Sequence, residues 1–294
     1  MEPAPNPQPA QDKPASSDRG PRLREIPLRL IWPNLVTVLA LCFGLTGMRF
    51  AIEGDMERAV YLVLVAAVLD GIDGRLARML KATSRFGAQM DSLADIVNFG
   101  VVPAILLYSD LLHLTKPFGW IAALIFAVAC GLRLARFNVM SENPGRAPWQ
   151  GEYFVGVPAP SAAVLLLVPV YLGVLGVEPS QTLAVLTTAY ALLIAILMVS
   201  RLPVWSGKAL GAKVPRDAVV PILLTVVIFA MLLYFYTFVT LVIASVLLLA
   251  SIPISAYRYN LRLKAWQAQN GTDPTDDEAQ ADRRRETINE DVSL

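Results

Sequence analysis

The chain has 294 residues, 55% of them hydrophobic, with a mean hydropathy of +0.52. That apolar share exceeds the about 45–50% of ordinary soluble domains, and a formal net charge of +1 gives no electrostatic ground for a nucleic-acid partner. Two cysteines, Cys42 and Cys130, and one histidine, His113, make neither a disulfide framework nor a zinc site; the cysteines read as small buried hydrophobes and His113, near a predicted loop, as incidental.

Residues 1–29 form an N-terminal tail and interfacial segment. Its first 20 residues, rich in Pro, Ala, Gln and Ser, are too polar to build a core. The first apolar run begins only after Arg29, so no cleavable signal peptide is expected. Arg22, Arg24 and Arg29 alternate with Leu23, Ile26, Leu28 and Leu30, a pattern suited to an anionic membrane surface. Residues 30–258 are the membrane domain, because windows such as Ile121–Cys130, Ala162–Val177 and Leu241–Ile252 carry no charge and long apolar runs read as transmembrane helices. Eight spans are predicted, at 33–52, 57–80, 86–111, 118–139, 157–177, 181–200, 217–235 and 238–257; six spans, with the last pair read differently, is the alternative. Residues 259–294, polar and mixed in charge, read as a solvated, disordered tail. The fold class is therefore all-α, a polytopic transmembrane helix bundle.

Loop charge orients it. Arg75, Arg78, Lys81 and Arg85, then Arg133, Arg136 and Arg146, then Arg201, Lys208, Lys213 and Arg216, and finally Arg258, Arg262 and Lys264 fall on the side of the N-terminal arginines; the other side has only Arg49, Arg58 and Lys116. The excess of positive charge predicts that both termini face the cytoplasm.

The densest chemistry lies on that side. It reads Asp70-Gly-Ile-Asp73-Gly74-Arg-Leu-Ala77-Arg78, eight residues, then Gly87-x3-Asp91-x3-Asp95. Carboxylates in apolar surroundings are costly unless paired or bound to metal. At about 100° per residue, Asp70, Asp73, Gly74 and Ala77 share one helical stripe with Arg78 at its edge, while Gly87, Asp91, Asp95 and Asn98 share another. A tight connection around Ala82–Ser84 would make the two helices antiparallel neighbours and bring four carboxylates around one cavity. All candidate ligands are oxygens, which favours Mg²⁺ or Mn²⁺. The small residues leave space for a bulky ligand, Arg78 can hold a phosphate, and a spare carboxylate can act as general base. Together these point to phosphoryl-type transfer. Intramembrane carboxylates also mark cation and proton transporters, and that alternative stands beside the first.

The pattern Asp-x2-Asp-Gly-x2-Ala-Arg-x8-Gly-x3-Asp-x3-Asp resembles the signature of the CDP-alcohol phosphotransferases at every position. Pro33-Asn34-Leu35-Val36-Thr37, the run from Phe86 to Asp95, Phe99-Gly100, Leu132-Arg133-Leu134-Ala135-Arg136-Phe137-Asn138 and Val157-Pro158 are similar to the serine-accepting bacterial branch of that family, over about residues 30–200. The resemblance implies a six-helix core, a homodimer in the bacterial cell (inner) membrane, and an active site open to the cytoplasm. It implies transfer of a phosphatidyl group from CDP-diacylglycerol to the hydroxyl of L-serine, with release of CMP; glycerol 3-phosphate, inositol and choline are alternative acceptors. Asp70, Asp73 and Asp91 would hold divalent metal against the diphosphate, and Asp95 would take the hydroxyl proton while also contacting metal. Gly74, Ala77 and Gly87 would accommodate the cytidine end, and Arg78 a phosphate. Asn34 and Thr37 would meet the lipid phosphate, or else cap and cross-link helices. Arg133 and Arg136, with Asn98, would bind the serine carboxylate; the alternative for the arginines is a membrane-interface anchor. A phospholipase-D-like route needs paired histidines, which His113 alone cannot supply.

Overall fold

A computed structural model describes residues 28–80, 84–141, 153–205 and 216–270. The readings of residues 1–27 and 271–294 lie outside the described residues. Each of the eight predicted spans corresponds to a helical rod: α1 (Leu28–Ile52), α2 (Met56–Met79), α3 (Arg85–Asp95) continued through a π-helical turn (Ile96–Val101) into α4 (Val102–Asp110), α5 (Pro117–Ser141), α6 (Ala159–Leu166) with α7 (Val168–Val174), α8 (Gln181–Val199), α9 (Arg216–Phe235) and α10 (Thr237–Asn270). Five of the rods are long and apolar enough to cross a membrane, and two shorter apolar helices accompany them. The protein is a polytopic all-α membrane protein.

Local chemistry sets the helix starts. Gly54 takes a left-handed φ of 89° in the α1–α2 turn, a conformation that costs glycine little. Asp55 then caps α2 by accepting the Arg58 N–H, Ser84 caps α3 by accepting the Gly87 N–H, and Ser180 caps α8 by accepting the Leu183 N–H; each satisfies a backbone donor left open by the helix end.

Prolines account for two departures from straight spans. Pro103 has no N–H for the Phe99 carbonyl, and its ring would press on that carbonyl in a continuous α-helix. Just upstream the helix widens, and the Val102 N–H bonds to the Val97 carbonyl. The span predicted at 157–177 is broken at Leu167, because Pro169 cannot donate to Leu165. The freed Leu165 carbonyl instead accepts the Tyr190 hydroxyl at 2.7 Å, so this acceptor is not left bare in the apolar interior.

Helix α1 is the spine of the bundle: it packs along α2 and also against α3, the π turn and α4. Behind it, α5 pairs with α8 and with the π turn. Phe99, Leu106, Phe126, Leu166, Tyr171 and Ile194 are fully buried between these rods. Helix α9 packs on α10, and nearly all its described side chains are exposed, as befits a lipid-facing rod. Cys130 is buried as expected, but Cys42 is exposed, because it lies on the outward face of α1.

Two features fall outside the sequence reading. Tyr153–Val155 (β1) and Pro203–Trp205 (β2) pair antiparallel, Phe154 opposite Val204. And α10 runs through the boundary placed at 258 to Asn270, 34 residues in all, or about 50 Å at 1.5 Å per residue against an about 30 Å hydrocarbon core. The end of α10 is therefore long enough to extend past the hydrocarbon core; along its second half Tyr259 meets Tyr153 edge-on at 5.1 Å and the Ser255 hydroxyl donates to the Pro203 carbonyl at 2.9 Å.

The α1–α2 contact is set by Gly47, where a Cβ would sit 3.0 Å from the Ala59 carbonyl oxygen and 3.3 Å from Leu62 Cβ. Gly47→Val should force the helices apart at a cost of about 1–3 kcal/mol, as overpacking does. A thermal melt in detergent should show a lower midpoint; an unchanged midpoint would mean that this contact does not hold the spine.

Candidate active site

One end of the bundle gathers the acidic motif. Helix α1 enters with Asn34 and Thr37, the last turns of α2 bring Asp70, Asp73, Gly74 and Ala77, and the start of α3 brings Gly87, Asp91 and Asp95. Helices α2 and α3 scarcely approach each other directly, and α1 packs on both. The gap between them is a cavity of about 170 Å³, lined by Pro33, Asn34 and Thr37, by Asp73, Gly74 and Ala77, and by Ser84, Gly87, Ala88 and Asp91.

The four carboxylates divide three and one. One oxygen each from Asp70, Asp91 and Asp95 falls within 4.8 Å of the others. Asp73 is not in that group. It is 2% exposed, and the Thr37 hydroxyl donates to its Oδ2 at 2.5 Å, with the Pro33 carbonyl 3.1 Å away as a second acceptor. Helical spacing groups all four carboxylates; in the structure Thr37 holds Asp73 against α1, on the cavity wall with Asp91. Asp70 and Asp95 lie within hydrogen-bonding reach of one another, and Asp91 is repelled by both Asp73 and Asp70.

Among the described residues, the buried Oδ1 atoms of Asp70, Asp73 and Asp95 have no hydrogen-bond partner. Crowded carboxylates with open oxygen lone pairs and no nitrogen or sulfur ligand fit a hard divalent cation. The donor set therefore suits the metal that the motif implies.

The remaining candidates separate clearly. Asn34, Thr37, Gly74, Ala77 and Gly87 all line the cavity. Arg78 stands outside the lining, exposed, its Nε donating to the Gly74 carbonyl at 3.0 Å. Arg133 is buried, its guanidinium 5.5 Å from the Phe137 ring centroid, its Nε unpartnered among the described residues, and its charge attracted by Asp95. Arg136 Nη1 donates to the Val199 carbonyl at 2.6 Å, which ties it to the end of α8. Asn98 is 1% exposed and lies behind the cavity. His113 sits in a 3₁₀ turn (Leu112–Thr115) after α4, at the opposite end of that rod from Asp91.

Sequence reasoning passed over Ser84 and Ala88. The Ser-Arg-Phe-Gly start of α3 is a readable N-cap signal, and the serine that caps the helix also borders the cavity. Ala88 carried no signal of its own. Asn138 was quoted without a role; its Nδ2 donates to Ser92 Oγ at 3.0 Å, pinning α5 to α3.

A half-buried carboxylate trio, with Asp91 lining a cavity of small residues, has the donor set to hold a divalent cation within a membrane bundle. Residues 30–199 match the family described as CDP-alcohol phosphatidyltransferase, and the chain belongs to that family. It is 48% identical over 147 residues to a CDP-diacylglycerol–serine O-phosphatidyltransferase of Mycobacterium leprae, covering 50% of this chain and 49% of that protein. It is 36% identical over 142 residues to the protein of that name from Helicobacter pylori strain J99, covering 48% and 58%, and 38% identical over 142 residues to an archaetidylserine synthase of Methanothermobacter thermautotrophicus, covering 46% and 55%. The chain spans about half the length of these curated relatives.

Gly74 and Gly87 make a test of the cavity. A Cβ at Gly74 would meet nothing within 4 Å, whereas one at Gly87 would come 2.9 Å from Asn34 Oδ1 and 3.1 Å from the capping Ser84 Oγ. In detergent melts Gly74→Val should keep the wild-type midpoint, while Gly87→Val should lose the cap and fall by a few degrees, the equivalent of about 1 kcal/mol. Equal loss in both would make Gly74 a packing residue.

Proposed function

We propose that this protein transfers the phosphatidyl group of CDP-diacylglycerol to the hydroxyl of L-serine, releasing CMP. The observation that carries the transfer is the carboxylate trio, whose Asp91 lines a cavity walled by small residues, in a chain of this family. The names of the relatives support serine as acceptor.

Asp70, Asp91 and Asp95 would hold the cation, Mg²⁺ or Mn²⁺, with Asp73 beside them on the cavity wall. When bound, the cation offsets charge on the diphosphate and on the departing CMP. Gly74, Ala77 and Gly87 give the nucleotide end room to approach the backbone of α2 and α3, Asn34 offers a polar contact to the lipid phosphate, and Thr37 would meet that phosphate by releasing Asp73. Arg78, on the rim one turn beyond Gly74, would meet a phosphate by releasing the Gly74 carbonyl. Asp95 accepts the proton of the serine hydroxyl as the serine oxygen bonds to phosphorus and the phosphorus–oxygen bond to CMP breaks. Arg133 is the better of the two arginines for the serine carboxylate, since its Nε has no hydrogen-bond partner among the described residues while Arg136 is engaged by Val199.

The proposal includes a homodimer in the bacterial cell (inner) membrane, with the cavity and both termini facing the cytoplasm. The orientation is supported by the distribution of positive charge, with Arg75, Arg78, Arg133, Arg136 and Arg201 at the cavity end against Arg49, Arg58 and Lys116 at the other; the homodimer is what the family resemblance implies.

The experiment is CMP release by purified protein from CDP-diacylglycerol with Mn²⁺ and a panel of alcohols. Serine should be the preferred acceptor, and Asp95→Asn should lower turnover roughly 10²–10⁴-fold, the range for loss of a general base. Arg133→Lys should raise the KM for serine far more than that for CDP-diacylglycerol, because lysine lacks the planar fork, and Arg136→Lys should change it little. Release with another alcohol and none with serine would contradict the acceptor; no release with any alcohol would contradict the reaction.

A further inference from the structure

Asn98 is a costly residue where it stands. It is 1% exposed, and among the described residues neither its Oδ1 nor its Nδ2 has a hydrogen-bond partner. Its place is made for it: a Cβ on Gly44 of α1 would collide with Asn98 Oδ1, so only glycine there leaves room for the amide. It also lies in the π-helical turn Ile96–Val101, which starts directly after Asp95, and such turns concentrate at functional sites. A leucine would fill the same volume without an unmet hydrogen-bonding demand. A buried amide, a glycine that admits it and a widened helix therefore coincide three residues from Asp95, whose own Oδ1 is buried and unpartnered.

Asn98 follows Asp95 three residues along the same rod, and buried polar groups without protein partners are met by ordered water bonded to two to four polar groups. Asn98 offers both a donor and an acceptor, while the Asp95 carboxylate only accepts. The open cavity is lined by Asp91 and Asp73, and neither Asn98 nor Asp95 is part of that lining.

We propose that Asn98 is a positioning residue for Asp95, its side-chain amide holding a buried water that orients the Asp95 carboxylate toward the acceptor hydroxyl. This rests on the proposed role of Asp95 in transfer. The water donates to Asp95 Oδ1 and is itself fixed by Asn98, leaving the remaining lone pairs of the carboxylate for the cation and the acceptor proton. Gly44 belongs to the same device, since a methyl group there would displace the amide.

Steady-state CMP release, Mn²⁺ binding and thermal melts of Asn98→Leu, Asn98→Ser and Gly44→Ala test this on the full chain. Asn98→Leu should lower kcat about 10–100-fold, the usual cost of removing a group that orients a functional ligand. Its KM for CDP-diacylglycerol and its Mn²⁺ affinity should stay within about twofold of wild type, and its melting midpoint should hold or rise, because an unpartnered amide has gone. Asn98→Ser retains a hydroxyl and space for the water, and should recover most of kcat; Gly44→Ala should behave as Asn98→Leu does in kcat. An Asn98→Leu protein with wild-type kcat overturns the proposal. So does a loss of kcat in both Asn98 variants that follows a fall in melting midpoint, which would make the residue structural. Wild-type protein that releases no CMP would defeat the reaction itself, and this inference with it, whereas active wild type beside active Asn98→Leu defeats this inference alone.

Discussion

Carboxylates gathered inside an apolar bundle repel one another and cannot stay ionised together without compensation. Nearly everything at the cavity end of this protein follows from that constraint. Asp70, Asp91 and Asp95 are brought close enough to share a cation, and Asp73 is set apart by the hydroxyl of Thr37. The one buried guanidinium in their neighbourhood, Arg133, lies where Asp95 attracts it but makes no ion pair with it among the described residues. The charge is thus left for a bound cation to balance, which is what a binding site requires and a purely structural cluster would avoid.

The same end of the bundle is kept open by its framework. Because α1 packs on both α2 and α3, those two helices need not close on each other, and the residues facing the gap are small. Farther down, Pro103 and Pro169 interrupt helical hydrogen bonding, and the bundle adjusts around both. Tyr190 takes up the carbonyl freed by Pro169, and the π turn ahead of Pro103 accommodates the lost donor by bonding one residue farther back. In a bilayer interior such repairs are obligatory. Here one of them also fixes the helical register that follows Asp95.

Much of this was legible in the sequence because it rests on long apolar periodicity and on a motif of fixed spacing. All eight rods lie where the apolar runs put them, and the family match covers residues 30–199, close to the 30–200 expected. What escaped depends on contacts between residues far apart in the chain. Helical spacing puts Asp73 on the stripe with Asp70 but is silent about Thr37, 36 positions away, which draws it to α1. Arg133 and Arg136 look equivalent on one helix turn; the carbonyl that occupies Arg136 belongs to Val199, 63 positions later. The β1–β2 ribbon joins two short segments with no strand-like periodicity, fixed in part by Ser255 and Tyr259 of α10. The break at Leu167 was readable from Pro169, and the apolar run around it masked the signal.

The central claim is that the carboxylates at the α2–α3 gap bind a divalent cation that in turn serves the nucleotide. Electron paramagnetic resonance of Mn²⁺ with the full chain in detergent measures this directly. Wild type should bind Mn²⁺ saturably, CDP-diacylglycerol should tighten that binding, and Asp70→Asn and Asp91→Asn should each weaken it by about tenfold or more, as losing a charged ligand from a carboxylate site does. Mn²⁺ binding that is absent from wild type, or that survives unchanged in both variants, would contradict the account.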